Sequence, residues 1–436
     1  MTTQTAAQAA PEQELRPLAS LPAKTWHRLS VNDEKIALPE DWGYASTFGI
    51  ELDGSAFLAE AGLFEREVAA FQAVLDTRRA ACDSRAVVRA ARGEAQAGDL
   101  DAPALSSYQR EAVLDELAHD ARLSFETGLG PACYDFIAQA SDDPVVVSAR
   151  AGQSGGALIR IDGKDGCANV VPIDVVAPKD AYISVEISLD SPEKGEGLVG
   201  VALRIFAAEG SRVEISSLHT LDDSWISLDD SGYIAADDAR IVVNHRVLGA
   251  GSSFTGLRCD LWGNRSRLET ATRYVGVADE KLSFNYVIKQ RGLETHSDLD
   301  TNGVLAGSCA KTLRGTIDFV HGCKGSTGNE RETVLLADDG VGNKTVPVIL
   351  CDEDDVMGNH GATIGHVKPD QRFYLQCRGL SDEALEQLFT VAAIEEAHLA
   401  HRDSRMRAGI ARLATDRGID SDVLETGEGG VDGPQR

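Results

Sequence analysis

The stretch Leu282-Ser-Phe-Asn-Tyr-Val-Ile-Lys289 decides the fold class. Leu282, Phe284, Tyr286 and Ile288 take every second position, with Ser283, Asn285, Val287 and Lys289 between them. A period of two sends successive side chains to opposite faces of a strand, so one face of this segment is built to meet a core. Val213 and Ile215, alternating with Glu214 and Ser216, show the same pattern earlier in the chain. Working outward, roughly a dozen short β-branched runs lie between Val145 and Ile349, each broken by Gly, Asp, Asn or Ser. Hardly any helical period interrupts them, which excludes a parallel sheet covered by crossover helices. A sandwich, a barrel and a β-solenoid remain. Short runs, Gly/Asp/Asn-rich turns and one inward face per strand favour stacked coils. No fixed period survives from run to run, so the residues by themselves leave solenoid and sandwich evenly matched.

Helical texture flanks this core, which spans residues 144–368. In the N-terminal region, residues 17–143, Phe64, Val68, Phe71 and Leu75 form one apolar stripe at helical spacing. A second candidate helix runs from Ser107 to Phe125 with Val113, Leu114, Leu117, Ala121 and Leu123 near one face, and the two together predict a small helical domain. In the C-terminal region, residues 369–414, Ser381 can cap a helix whose first turn holds Asp382 and Glu383. Leu385, Leu388, Phe389 and Ala392 fall on one face of it, and a second helix from about Arg402 to Leu413 completes a hairpin. Residues 1–16 and the acidic, Gly-rich residues 415–436 read as disordered tails.

Composition narrows the function. The 436 residues carry 42 Lys+Arg against 69 Asp+Glu, a formal net charge of −27 that repels a nucleic-acid backbone. Apolar and charged fractions of 43% and 25% are those of an ordinary protein with a sizeable core. No run reaches the ~18 apolar residues of a membrane span, and the first residues lack the basic and apolar regions of a secretory signal. A cytoplasmic location with no membrane partner is expected. The eight cysteines stand singly, without a C-x-x-C pair or a Cys/His quartet, which predicts free thiols, most of them buried as small hydrophobes.

Asp338-Asp-Gly-Val-Gly-Asn-Lys-Thr345 looks at first like a phosphate loop, yet Asn343 and Asp338 stand where that loop needs glycine. It reads as a turn between strands, and no nucleotide is expected on this chain. No G-x-S-x-G elbow or H-E-x-x-H helix is present, so a noncatalytic role is expected.

The segment Val346-Pro-Val-Ile-Leu-Cys-Asp-Glu-Asp-Asp-Val-Met-Gly-Asn-His-Gly-Ala-Thr-Ile-Gly365, with Asp370-Gln-Arg-Phe-Tyr-Leu-Gln-Cys-Arg-Gly379 and Leu313-Arg-Gly-Thr-Ile-Asp-Phe319, resembles the SufB/SufD family of iron–sulfur cluster assembly proteins. The likeness covers most of residues 245–400, and Lys24-Thr-Trp-His-Arg-Leu-Ser-Val-Asn32 resembles the family's N-terminal stretch. It implies a right-handed parallel β-helix between helical regions, which breaks the tie between solenoid and sandwich. It further implies work with the ABC-type ATPase SufC, and pairing with a SufB-like subunit or with a second copy of the chain. A transient Fe–S cluster would be built or passed on at the junction of two such subunits. The hairpin from Ser381 to about Leu413 would be the SufC-docking surface; the alternative is a cap over the open solenoid end.

By the same resemblance, His360 is the residue expected to ligate iron, since neutral imidazole is a good donor to it. The alternative is a structural histidine satisfied by hydrogen bonds. Gly361, at the position of a family glutamate, places the chain on the SufD-like side, and Gly358 stands where SufD-like chains often carry a cysteine. Cys351, nine residues before His360, is the candidate thiolate across a turn. Cys323 has Lys324 beside it to favour its thiolate form, and His321 and His366 are weaker candidates. Outside the family, a β-helix enzyme acting on polysaccharides is the rival reading, because that fold also hosts such lyases and hydrolases.

Overall fold

The computed structural model describes residues 14–22, 31–82, 92, 122–141, 143–192, 194–366 and 368–419. Successive strands from Val145 to His366 alternate between a ten-stranded and a nine-stranded sheet, and lateral neighbours within each of these two sheets are parallel along that stretch. The chain therefore winds as a parallel β-solenoid with one strand per sheet in each coil. The sandwich reading of the alternation is removed.

The step between coils varies, which is why no sequence period was visible. Gly197 lies beside Cys167, a step of 30, Ser252 beside Ile226, a step of 26, and Gly342 beside Ala310, a step of 32. What recurs is a corner. Gly152, Asp180, Gly210, Asp238, Arg265, Glu294 and Gly325, one to a coil, all have φ between 55° and 71°. Each donates its backbone N–H to a carbonyl of the next coil, from Gly152 to Lys179 through Gly325 to Asp355. A left-handed corner costs a side-chain-bearing residue ~1–2 kcal/mol, hence the Gly and Asp enrichment.

Alternate side chains of each strand point inward, and those of one sheet meet those of the other inside the coils. The early coils are filled by Ile159, Ile161, Val171, Ile173, Val175, Val185, Ile187 and Val201, all buried. Antiparallel strands close this end: Gly49–Gly54 lies on Ser154–Asp162, and Phe57–Leu58 on Val145–Ser148. At the other end the last strands, Gly342–Cys351 and Val356–His366, have one lateral neighbour each among the described residues.

The described part of the N-terminal region contributes strands as well as helices, and its two described helices both pack on the solenoid. Helix α1 (Leu63–Cys82) buries Phe64, Phe71 and Leu75 against Val176, Phe206, Ile234 and Trp262 of the ten-stranded sheet. The predicted stripe is real, but its partner is the solenoid. Helix α2 (Pro131–Ala138) packs Phe136 and Ile137 on the same sheet beside Leu18 and Ile36. Most of the second predicted helix, 107–121, and the stretch 24–30 lie outside the described residues, as do most of the predicted tails. Part of those tails is structured: the strand Glu14–Leu18 begins at residue 14, and Ile419 is buried.

Three helices follow the solenoid: α3 (Pro369–Cys377), α4 (Asp382–Ala400) and α5 (Ser404–Asp416). The α4–α5 hairpin packs Ile394, Ala397, Met406, Ile410 and Leu413 on Leu218, Leu248 and Val275, on the flank of the nine-stranded sheet. It does not cap the open end. The face of α4 that packs is also not the expected one, since Leu388 is exposed while Thr390, Ile394 and Ala397 are buried. Ion pairs fix the hairpin's place: Arg412 to Asp190 and Asp222, Arg417 to Glu280, and Arg160 to Asp403, whose carboxylate also caps α5.

Candidate functional site

The open end holds the residues singled out by sequence. On Val356–His366 the even positions point into the coil: a methyl added at Gly358 would stand 3.0 Å from Phe319 and 3.3 Å from Ile349 of the opposite sheet. His360, two residues on, shares that parity and faces the mouth of the lumen. Its lateral neighbour is Glu330. Cys351 also has inward parity, but at the far end of the opposite strand, where its Sγ donates to the Glu353 carbonyl at 3.2 Å. With Gly358 across from Ile349, His360 and Cys351 are four residue steps apart along the strands, roughly 13 Å. The fold places both on the last coil without bringing them together.

Below His360 lies a buried polar cluster. Lys311, fully buried, is ion-paired with Glu332 and donates to Thr345 Oγ1 at 3.2 Å. Thr345 donates to the other Glu332 oxygen at 2.6 Å, and Tyr274 donates to the first at 3.4 Å. Burial pulls the Lys311 ammonium below its ordinary range against the field of Glu332. Glu330, 4% exposed, has no hydrogen-bond partner at Oε2. Burial and then the Glu332 carboxylate push its carboxyl up to about 7. Gly315 makes room for it, since a methyl there would fall 2.1 Å from Glu330 Oε1.

A second cluster sits deeper in the lumen. Asp229 accepts from Ser217 at 2.6 Å and pairs with His219 Nε2 at 3.1 Å, while His219 Nδ1 meets Ser227 at 2.8 Å. His245 Nε2 approaches the same carboxylate at 3.8 Å, and its Nδ1 meets the Tyr286 hydroxyl at 2.9 Å. Burial pushes His245 down to about 4, so this imidazole is neutral at pH 7. Asp229 stays below the usual carboxylate range, because hydrogen bonding from His219 and Ser217 and the nearby imidazoles outweigh its burial.

The leucine, arginine and glycine of the 313–315 motif divide the work by parity. Leu313 enters the core and Gly315 cradles Glu330. Arg314, fully buried on the outer face, donates to the Val31 carbonyl at 2.6 Å and to Glu34 at 2.8 Å, clasping the N-terminal segment to the sheet. In α3, Phe373 and Tyr374 of the second motif are 68% and 56% exposed beside the open end's chain exit.

The other candidates are placed less favourably. Cys323 is fully buried, and burial pushes its thiol up to about 12, so Lys324 does not make it a thiolate. His321 Nδ1 lies 3.2 Å from the Asp352 carbonyl, and His366 is exposed at the end of the last strand. The Asp338–Thr345 stretch is a turn leading into a strand, where a phosphate loop would lead into a helix. Among the described residues no three His, Cys, Asp or Glu side chains are grouped to hold a metal ion. None of their helices is long and apolar enough to cross a membrane. Sequence reasoning passed over Glu330, Glu332 and Asp229. The available signal was parity: Glu330 and Glu332 share the inward face with Val334.

Comparison with known proteins bears on this site. A family model described as "SUF system FeS cluster assembly, SufBD core domain" matches residues 160–393. The iron–sulfur cluster assembly protein SufD of Bacillus subtilis is 23% identical over 208 residues, 48% of this chain and 47% of that one. An iron–sulfur cluster assembly SufBD family protein of Mycobacterium tuberculosis is 35% identical over 92 residues, 21% of this chain and 11% of its own length. A SufBD family protein of Synechocystis is 24% identical over 123 residues, 28% of this chain and 23% of its own length. These matches span less than half of each relative.

Proposed function

This chain belongs to the SufB/SufD family of iron–sulfur cluster assembly proteins, and we propose that it serves there as a SufD-like scaffold subunit, noncatalytic by itself. It holds part of a nascent cluster at the open end of its solenoid, works in the cytoplasm with a SufC-like ABC ATPase, and pairs with a SufB-like subunit or a second copy of itself. The iron and sulfide are cargo, passed on to client proteins.

The observation that carries this reading is His360 facing the lumen mouth on a strand whose outer edge pairs with no other described strand. A partner seated there brings its own ligands beside the imidazole. That accounts for the lack of a grouped metal-binding set among the described residues. Imidazole nitrogen suits iron, and missing thiolates can come from the other subunit. The polysaccharide reading has no support in the comparisons.

The test is His360→Ala in the complex purified anaerobically with the ATPase and the SufB-like chain. Iron and sulfide content should fall, by roughly 10-fold or more in metal affinity. Complex formation and the unfolding midpoint should change little, because an edge histidine contributes little to the core. Full cluster content in the variant refutes the ligand role.

A further inference from the structure

Among the described residues, the lumen mouth holds two buried glutamates and one buried lysine. Glu330 and Glu332 both point inward, and Lys311 is the ammonium beside them. Its bonds go to Glu332 and to Thr345, leaving Glu330 Oε2 without a partner in a side chain that is 4% exposed. A buried carboxylate lacking a bonded cation is costly to the folded state. The fold nonetheless makes space for it by leaving position 315 without a Cβ. The next side chain outward along the same row is His360, the lateral neighbour of Glu330 in parallel register. Adjacent parallel strands lie ~4.8 Å apart, a separation at which one carboxylate oxygen and one imidazole nitrogen can meet a common ion.

We infer that Glu330 is a second ligand for divalent iron, forming with His360 a two-residue half-site at the lumen mouth that the partner subunit completes. This rests on the reading of His360 as an iron ligand. An oxygen and a borderline nitrogen donor together suit Fe(II), and the ion supplies a bonded cation to Glu330, whereas Lys311 bonds Glu332 and acts on Glu330 only through its field. The depth of Glu330 also gives a direction: iron enters past His360 and is held from below by the carboxylate.

The experiment titrates the full-length chain with Fe(II), and with Co(II) as its spectroscopic stand-in, under anaerobic conditions. Wild type should bind about one equivalent, with a cobalt ligand-field band reporting nitrogen and oxygen donors. Glu330→Gln and His360→Ala should each weaken binding at least roughly 10- to 100-fold. Glu330→Gln keeps the size and polarity of the side chain while removing a buried acid whose Oε2 has no partner, and should unfold no earlier than wild type. Gly315→Ala keeps the carboxylate but fills its cradle, and should weaken binding as well. Unchanged affinity in Glu330→Gln, with His360→Ala impaired, overturns the role of Glu330 and leaves His360 standing. Unchanged affinity in both refutes the His360 reading too. Failure of wild type to bind, or a loss of affinity in Glu330→Gln that tracks a loss of stability, also overturns the half-site.

Discussion

Asp230 shows how a single buried residue contributes to the pH response of the molecule. It is fully buried on the outer face of the ten-stranded sheet, accepting from the Leu129 amide and the Thr127 hydroxyl, both at 2.7 Å. Burial, then the neighbouring Asp229, push its carboxyl from an ordinary 3.8 up to about 7 against those hydrogen bonds. Between these two values the folded chain keeps a proton that the unfolded chain has released. Stability from this group therefore falls as pH rises from about 4 to about 7 and is lowest above that, at up to ~1.4 kcal/mol per unit within the window. Asp230→Asn retains an acceptor for Leu129 and a partner for Thr127 but cannot ionise. Relative to wild type it should gain stability between pH 5 and pH 8 in urea unfolding. All other titrating groups are common to both chains, so the difference isolates this one. Parallel curves would show that Asp230 does not carry the effect.

At the level of elements, the α4–α5 hairpin is held by an apolar face and by ion pairs to strands and turns of the solenoid, with Leu388 and Leu399 left 39% and 59% exposed on its outer side. As the proposed SufC-docking surface it presents these two side chains outward while Met406, Ile410 and Leu413 anchor it. Leu388→Glu with Leu399→Glu should abolish co-elution with SufC and leave the circular dichroism and unfolding midpoint unchanged, since neither side chain belongs to the packed face. Deleting residues 381–419 should also abolish binding, at the cost of uncovering Leu218, Leu248 and Val275. Retained SufC binding by the folded double variant would place the docking surface elsewhere. α3 is a different kind of element. Arg378 stacks on Tyr374 at 5.0 Å, and the exposed Phe373 lies beside it.

The whole molecule is asymmetric from end to end. Antiparallel strands cover the first coil, whereas among the described residues the last has two unpaired sheet edges, with Met357 and Ile364 60% and 45% exposed. An uncovered edge is a template for another strand. If the partner subunit sits there, amide hydrogens of residues 342–351 and 356–366 should exchange rapidly in the isolated chain. They should slow by at least ~10-fold in the complex, as local opening becomes tied to dissociation. Unchanged exchange on these strands in an intact complex would put the subunit junction on another face. The interior changes along the same axis, from aliphatic early coils to the Asp229 and Lys311 clusters nearer the open end. The proposed iron site at the mouth thus has buried polar groups behind it.

The sequence by itself determined which residues turn inward, because the period of two is local: Leu282, Phe284, Tyr286 and Ile288 all line the core. It also determined the α1 stripe, the two C-terminal helices and, through the 313–319, 346–365 and 370–379 motifs, the family. Which inward residues become neighbours was decided only by the tertiary structure. Lateral partners depend on how many residues each corner consumes, and steps from 26 to 32 cannot be read from parity. So Glu330 came to lie beside His360, and Cys351, nine residues from it in the chain, came to lie four strand positions away. The same holds for the helices. A stripe says that a face will be buried but not against what, and it is the apolar outer face of the ten-stranded sheet at Val176 and Phe206 that receives α1, and that of the nine-stranded sheet at Leu248 and Val275 that receives the hairpin.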